Sequence, residues 1–154
     1  MSLTIREFQS DDAQSVEFVV LSVLQEWGFL PSAQDQQELE AMQSRNPFET
    51  FHVAEDPDIG VVGCAGIVRV DEQTCELRKI YLLKRFRGQA IGKQLLDQCI
   101  AVGKERGYSR MRLEVNSVMI QASSKFYLGN GFILAEDERP NSPSYDSVYY
   151  KSLS

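Results

Sequence analysis

Residues 75–106 constrain this chain more than any other stretch. A run with strand character, Cys75 to Leu83, leads into a short basic turn, Arg85-Phe86-Arg87-Gly88-Gln89-Ala90-Ile91-Gly92-Lys93. A helix follows from Ile91 to Arg106, with Ile91, Leu95, Leu96, Cys99, Ile100 and Val102 forming an apolar stripe at helical spacing. A strand, then small residues, then a helix start is an arrangement suited to anions. The first N–H groups of a helix have no partner within it, and the helix dipole adds partial positive charge there. Gly88, Ala90 and Gly92 have little or no side chain, so a phosphate can approach the backbone. Segment 78–93 also carries Arg78, Lys79, Lys84, Arg85, Arg87 and Lys93 and no acid, in a chain of net charge −6. Such a turn can equally serve structure alone. It is not a P-loop, since no Gly-Lys-Ser/Thr closes it, and its glycine spacing is not that of a dinucleotide fingerprint.

The rest of the chain reads as one domain, 1–154, of alternating helices and strands. Leu3 to Phe8 is a short strand, and Val16, Val19, Val20, Val23, Leu24 and Trp27 mark a helix stopped by Gly28. Ser32-Ala33-Gln34-Asp35 resembles a capping box, with Asp in place of the usual Glu/Gln, and opens a polar helix from Ala33 to Ser44. Thr50–Glu55, Val61–Val70 and Thr74–Leu83 read as an antiparallel meander, with Gly63 and Gly66 marking a bulge or a close backbone approach. Met111, Leu113 and Val115 alternate in a further strand. Ile120 to Asn130 is helical, and Phe132–Glu136 and Asp146–Leu153 are strands around a polar loop, Asp137 to Tyr145. The order is β-α-α-β-β-β-α-β-α-β-β, a mixed α/β (α+β) domain.

Composition removes several function classes. No apolar run approaches the roughly 20 residues that span a bilayer, and no secretion signal opens the chain. Cys64, Cys75 and Cys99 sit in apolar contexts and read as reduced core cysteines of a cytoplasmic protein. A single histidine, His52, without CxxC or HExxH, argues against a metal site. The acidic balance argues against nucleic acid as a partner and is compatible with a cationic substrate.

Arg85-x-x-Gly88-x-Ala90 resembles the Q/R-x-x-G-x-G/A motif of the GNAT superfamily of acyl-CoA-dependent N-acyltransferases. Phe126-Tyr127-Leu128-Gly129-Asn130-Gly131-Phe132 resembles that family's L-Y-x-x-x-G-F segment, and Ile5 to Asp12 its first strand and turn. The resemblance spans nearly the whole chain. It implies a central, mostly antiparallel sheet of about seven strands flanked by about four helices. It also implies acetyl transfer from acetyl-CoA to a primary amine on a small molecule, amino acid or peptide. Under it, the backbone of Gly88, Gln89, Ala90, Ile91, Gly92 and Lys93, with Arg87, holds the diphosphate. Ile80, Tyr81 and Leu82, on a strand splayed from its neighbour, receive the pantetheine arm.

Tyr127 then matches the tyrosine that protonates the departing thiolate, and Glu76 or Glu114 the base that takes the amine proton. Each has a plainer reading: Tyr127 as core packing, Ile80 to Leu82 as a buried strand, either Glu as a surface residue. Two positions depart from the family pattern, Ile120 where asparagine is frequent and Ser123 where alanine is. The acceptor is expected to be set by Phe29–Pro47 and Asp137–Tyr145. A non-catalytic acyl-CoA-binding module is the competing reading, and a homodimer is among the options for assembly.

Overall fold

The computed structural model describes residues 3–154; of the side chains of 120–124 nothing is described, so Ile120 and Ser123 lie outside the described residues. The elements are β1 (Thr4–Glu7), α1 (Ala13–Glu26), α2 (Ala33–Ala41), β2 (Thr50–Asp56), β3 (Gly60–Arg69), β4 (Thr74–Leu82), α3 (Ile91–Glu105), β5 (Arg110–Val115), α4 (Ser117–Gly129), β6 (Ile133–Leu134) and β7 (Ser147–Ser152). They follow the order expected from the sequence. The strands form one seven-stranded sheet in the order β1-β2-β3-β4-β5-β7-β6. All neighbours are antiparallel except β4 and β5, which α3 joins as a parallel crossover.

Each face of the sheet has its own helices because the strands alternate. Phe51, Val53 and Cys64 face α1, packing on Val16, Val19, Val20 and Leu24 and on Leu39 of α2. Ala54, Val62, Ala65, Ile67 and Leu77 face the other way, onto Ile91, Leu95, Leu96 and Cys99 of α3. The cap predicted for α2 forms: Ser32 Oγ accepts from the Asp35 N–H at 3.0 Å, and Asp35 Oδ2 from the Ser32 N–H at 3.0 Å. The helix is shorter than expected, ending at Ala41. α4 begins a turn earlier than its apolar pattern suggests. Asn116 caps it by accepting from the Val118 N–H at 2.9 Å, and Asp146 accepts from the Ser117 N–H.

Gly66 accounts for one close approach. A Cβ there would lie 2.4 Å from Phe51 Cδ2 and 2.9 Å from the Thr50 carbonyl oxygen. Opposite it β4 bulges. Gly66 pairs with Arg78 and Cys64 with Tyr81, so Lys79 and Ile80 together oppose Ala65, and Lys79 sits at φ 58°. The bulge changes which side chains share a face. Leu77, Ile80 and Leu82 pack toward α3, whereas Tyr81 packs toward α1.

The three cysteines are buried and unpaired, and among the described residues no helix is long and apolar enough to cross a membrane. His52 is buried on β2 with its Nδ1 unpartnered among the described residues. Burial holds its pKa below the ordinary 6.5, against a smaller pull from Glu7. The unfolded chain therefore takes up the proton first. The stability due to a neutral His52 is present above about pH 6.5 and is lost as pH falls through the lower folded value, with a slope of up to about 1.4 kcal/mol per pH unit. Urea titrations of the protein and of His52→Gln between pH 7 and pH 5 are expected to differ by that slope. Parallel curves would remove His52 as the titrating group.

Candidate active site

β4 and β5 part company after three rungs. Thr74, Cys75 and Glu76 pair with Arg110, Met111 and Arg112, and the register ends there. From Leu77 onward β4 continues along β3, while β5 follows β7 as far as Val115. A cleft of about 560 Å³ lies against the split. Ile80, Tyr81 and Leu82 form one wall, and Leu113, Glu114 and Val115 belong to the other strand. The seven-residue run from Glu76 to Leu82 is about 20 Å of strand, so this wall of the cleft is long.

At the Leu82 end the chain turns into α3. Gly88 has φ +82°, and a Cβ on it would meet nothing within 4 Å, so the position faces open space. Ala90, the N-cap of α3, is also left-handed at φ 64° and offers no side-chain cap. The first intrahelical bond is the Gln94 N–H to the Ala90 carbonyl at 3.1 Å. Among the described residues no protein acceptor pairs with the N–H groups of Gln89 through Lys93. Gly88, Ala90, Ile91, Gly92 and Lys93 line the cleft, and no acid stands in the first helical turn. Successive donors in this conformation make a concave anion nest at the positive end of a 15-residue helix. A diphosphate fits this donor set.

The cations are distributed differently from the sequence expectation. Arg78 and Lys79 are turned from the cradle toward α2. Lys79 Nζ, buried, donates to Asp35 and, at 2.8 Å, to Glu38, while Arg78 holds Glu38 at 2.8 and 3.1 Å. The bulge causes this, because the left-handed turn at Lys79 points its side chain at the helix above. Arg87 lines the cleft, with its guanidinium on both oxygens of Glu26 at 2.7 and 2.8 Å and on the Leu82 carbonyl. Lys93 pairs with Asp97 at 3.2 Å. Lys84 and Arg85 are exposed, Arg85 over the Phe86 ring. What makes the cradle attractive to an anion is its backbone more than its side chains.

Tyr127 lines the cleft from α4, edge-on to Phe126 and Phe132, and the residue is 9% exposed. Burial, helped by nearby Tyr145, raises its pKa above the ordinary phenol value, so it keeps its proton at neutral pH. The two glutamates differ sharply. Both bind Arg112, which is itself buried between them. Glu114 Oε2 also accepts from the Asn141 N–H at 2.7 Å and Oε1 from the Ser142 N–H at 3.1 Å, so it anchors the loop between β6 and β7. Glu76 gives only Oε2 to Arg112, and its Oε1 is 3.7 Å from Arg78 Nε. Burial, and to a smaller degree the charge of Glu114, pushes the Glu76 pKa up despite Arg112 and Arg78.

Three contributors escape sequence reasoning. Asp35 of α2 lines the cleft and clamps Lys79. Tyr145, from the polar loop, lines it too, alongside Tyr81. Arg112 sits behind the glutamates. The only signal for Asp35 and Tyr145 was the assignment of 29–47 and 137–145 to the acceptor side; Arg112 lies in neither segment. Among the described residues no cluster of His, Cys, Asp and Glu could hold a metal ion.

Known proteins repeat this architecture. A crystal structure of an acetyltransferase of the GNAT family from Staphylococcus aureus Mu50 superposes with a TM-score of 0.88, at 25% identity over 99% of this chain and 100% of that one. The PaiA N-acetyltransferase of Thermoplasma acidophilum, solved with coenzyme A, shares the fold at a TM-score of 0.73, with 22% identity over 99% of each chain. An uncharacterized N-acetyltransferase of Mycobacterium tuberculosis is 33% identical over 72 residues, 47% of this chain and 46% of its own length. The matched part thus spans about half of that curated relative. The model of the acetyltransferase (GNAT) family matches residues 14–132. With most of its length covered by that model and the fold reproduced from end to end, the chain belongs to the acetyltransferase (GNAT) family.

Proposed function

We propose that the protein transfers an acetyl group from acetyl-CoA directly to a primary amine. One observation carries this reading. The opening between β4 and β5 and the uncapped nest of α3 belong to a single cleft that also contains Tyr127 and Glu76. The nest holds the diphosphate through the N–H groups of Gln89 to Lys93. The edge of Ile80 to Leu82 that β5 leaves, its Leu82 carbonyl held by Arg87, takes the pantetheine amides as a neighbouring strand would and aims the thioester into the split. Acetyl-CoA supplies the activated acyl carbon, with coenzyme A as the thiol that leaves.

The ammonium of the acceptor gives its proton to Glu76, whose raised pKa suits it to that task. The amine nitrogen bonds to the acyl carbon, the carbon–sulfur bond breaks, and the sulfur takes the Tyr127 proton, while the second proton of the attacking nitrogen returns to the Tyr127 oxygen and leaves a neutral amide. Glu114 does not compete for the role of base, because Arg112 and two loop N–H groups occupy its oxygens.

The test is free-thiol release from acetyl-CoA across an amine panel, alongside calorimetric binding of coenzyme A. Amine-dependent release supports transfer. Tight binding without release across the panel leaves a non-catalytic acyl-CoA-binding module, and no binding removes the cradle. Tyr127→Phe is expected to lower kcat about a hundredfold with the coenzyme A Kd nearly unchanged. Equal turnover would take the phenol out of the mechanism.

A further inference from the structure

Charged groups crowd the acceptor end of the cleft, and nearly all are already paired. Lys79 is neutralised by Asp35 and Glu38, Arg78 by Glu38, and Arg112 by Glu76 and Glu114. The second oxygen of Asp35 accepts from the Ser32 N–H, and Glu114 is filled by the loop. Among the described residues one carboxylate oxygen is left over, Glu76 Oε1, too far from Arg78 for a hydrogen bond. Among those residues an arriving molecule thus meets one open anionic acceptor and, at this end, no uncommitted cation. The remaining wall includes Trp27, Tyr81 and Tyr145, which offers rings and hydroxyls.

Resting on the acetyl-transfer reading, we propose that the acceptor is a primary amine with no carboxylate beside its amino group, docked through its ammonium on Glu76 Oε1. An α-amino acid would carry its carboxylate into a space where Arg78, Lys79 and Arg112 are already neutralised. That carboxylate would lose its water without gaining a partner, or would have to break a buried pair to find one. A decarboxylated amine brings only the charge that Glu76 accepts. The specificity is thus set by α2, which holds two of the three cations away from the ligand.

The test uses matched pairs on the full chain: tyramine and tyrosine, histamine and histidine, 1,5-diaminopentane and lysine. Thiol release from acetyl-CoA is expected to favour the amine of each productive pair by about a hundredfold in kcat/KM, equal to about 2.7 kcal/mol. Equal use of both members, or preference for the amino acid, overturns the proposal. If no pair releases thiol, calorimetry on the coenzyme A-saturated protein decides. Tighter binding of the amines supports the proposal; equal or absent binding of both members overturns it. Failure to bind coenzyme A would instead sink the acetyl-transfer reading itself.

Glu38→Gln separates charge pairing from shape. It removes the close charge partner of Arg78, whose remaining carboxylate contact is Glu76 Oε1 at 3.7 Å, while Asp35 still holds Lys79; Glu38 does not line the cleft. The amine-to-amino-acid ratio is expected to fall at least about tenfold, a shift of about 1.4 kcal/mol, mainly through improved use of the amino acid. An unchanged ratio overturns the charge-pairing account.

Discussion

Replacing Glu76 with Gln is expected to lower kcat/KM for the amine by about a thousandfold, within the range for loss of a general base. It should also remove the part of the acidic limb of the pH–rate profile that Glu76 sets. Glu76 must be ionised to accept a proton, and burial raises its pKa above the usual carboxylate range. Activity of the parent therefore falls as pH drops through that raised value, at a higher pH than an exposed Glu would give. In Glu76→Gln the remaining dependence is that of the acceptor's own ammonium. Gln keeps the shape and can still accept from Arg112, so coenzyme A affinity should hold. The contrast with Glu114→Gln is part of the expectation. That change weakens the anchor of Asn141 and Ser142, and it should raise KM more than it lowers kcat. A parent-like pH profile in Glu76→Gln, with turnover intact, would assign the proton to another group.

The second large effect is at the other end of the cleft. Gly88→Asp is expected to weaken coenzyme A binding by about a hundredfold relative to Gly88→Asn. Both residues tolerate a positive φ better than other side chains, so the backbone cost at φ +82° is similar and largely cancels. They differ in charge. An aspartate beside the uncapped N–H groups of α3 occupies the nest and repels a diphosphate. Calorimetry with coenzyme A and with dephosphorylated pantetheine separates the effects, since only the former should distinguish Asp from Asn. Equal affinity of both variants for coenzyme A would place the phosphates elsewhere.

Much of this site was legible because it is local. The turn from Arg85 to Lys93 lies within one strand–helix junction, where glycine positions and the lack of an acid cap can be read residue by residue. The Ser32–Asp35 cap is likewise a four-residue affair and formed as its spacing implied, with Asp in place of Glu. Gly66 reads as a close approach, and Phe51 is what it approaches. Legibility failed wherever partners are distant in sequence. The six cations of 78–93 looked like one basic patch, yet Arg78 and Lys79 are bound to Asp35 and Glu38, and Arg87 to Glu26. Glu76 and Glu114 looked equivalent as bases until the loop at Asn141 and Ser142 filled Glu114.

The amino-acid sequence alone determined the order of elements, the periodic faces of the helices and the exposed donors ahead of α3. Helix capping, turn chemistry and apolar periodicity act over a few residues and leave their mark in the local pattern. The folded chain alone decided where β4 leaves β5, which way side chains point past the bulge, and which charged groups remain free to meet a ligand. The bulge at Lys79 displaces the two-residue alternation by one, so Tyr81 takes the face that unbroken alternation assigns to Ile80. Ion pairing in a buried site depends on which segments tertiary packing brings together, and no local pattern encodes that.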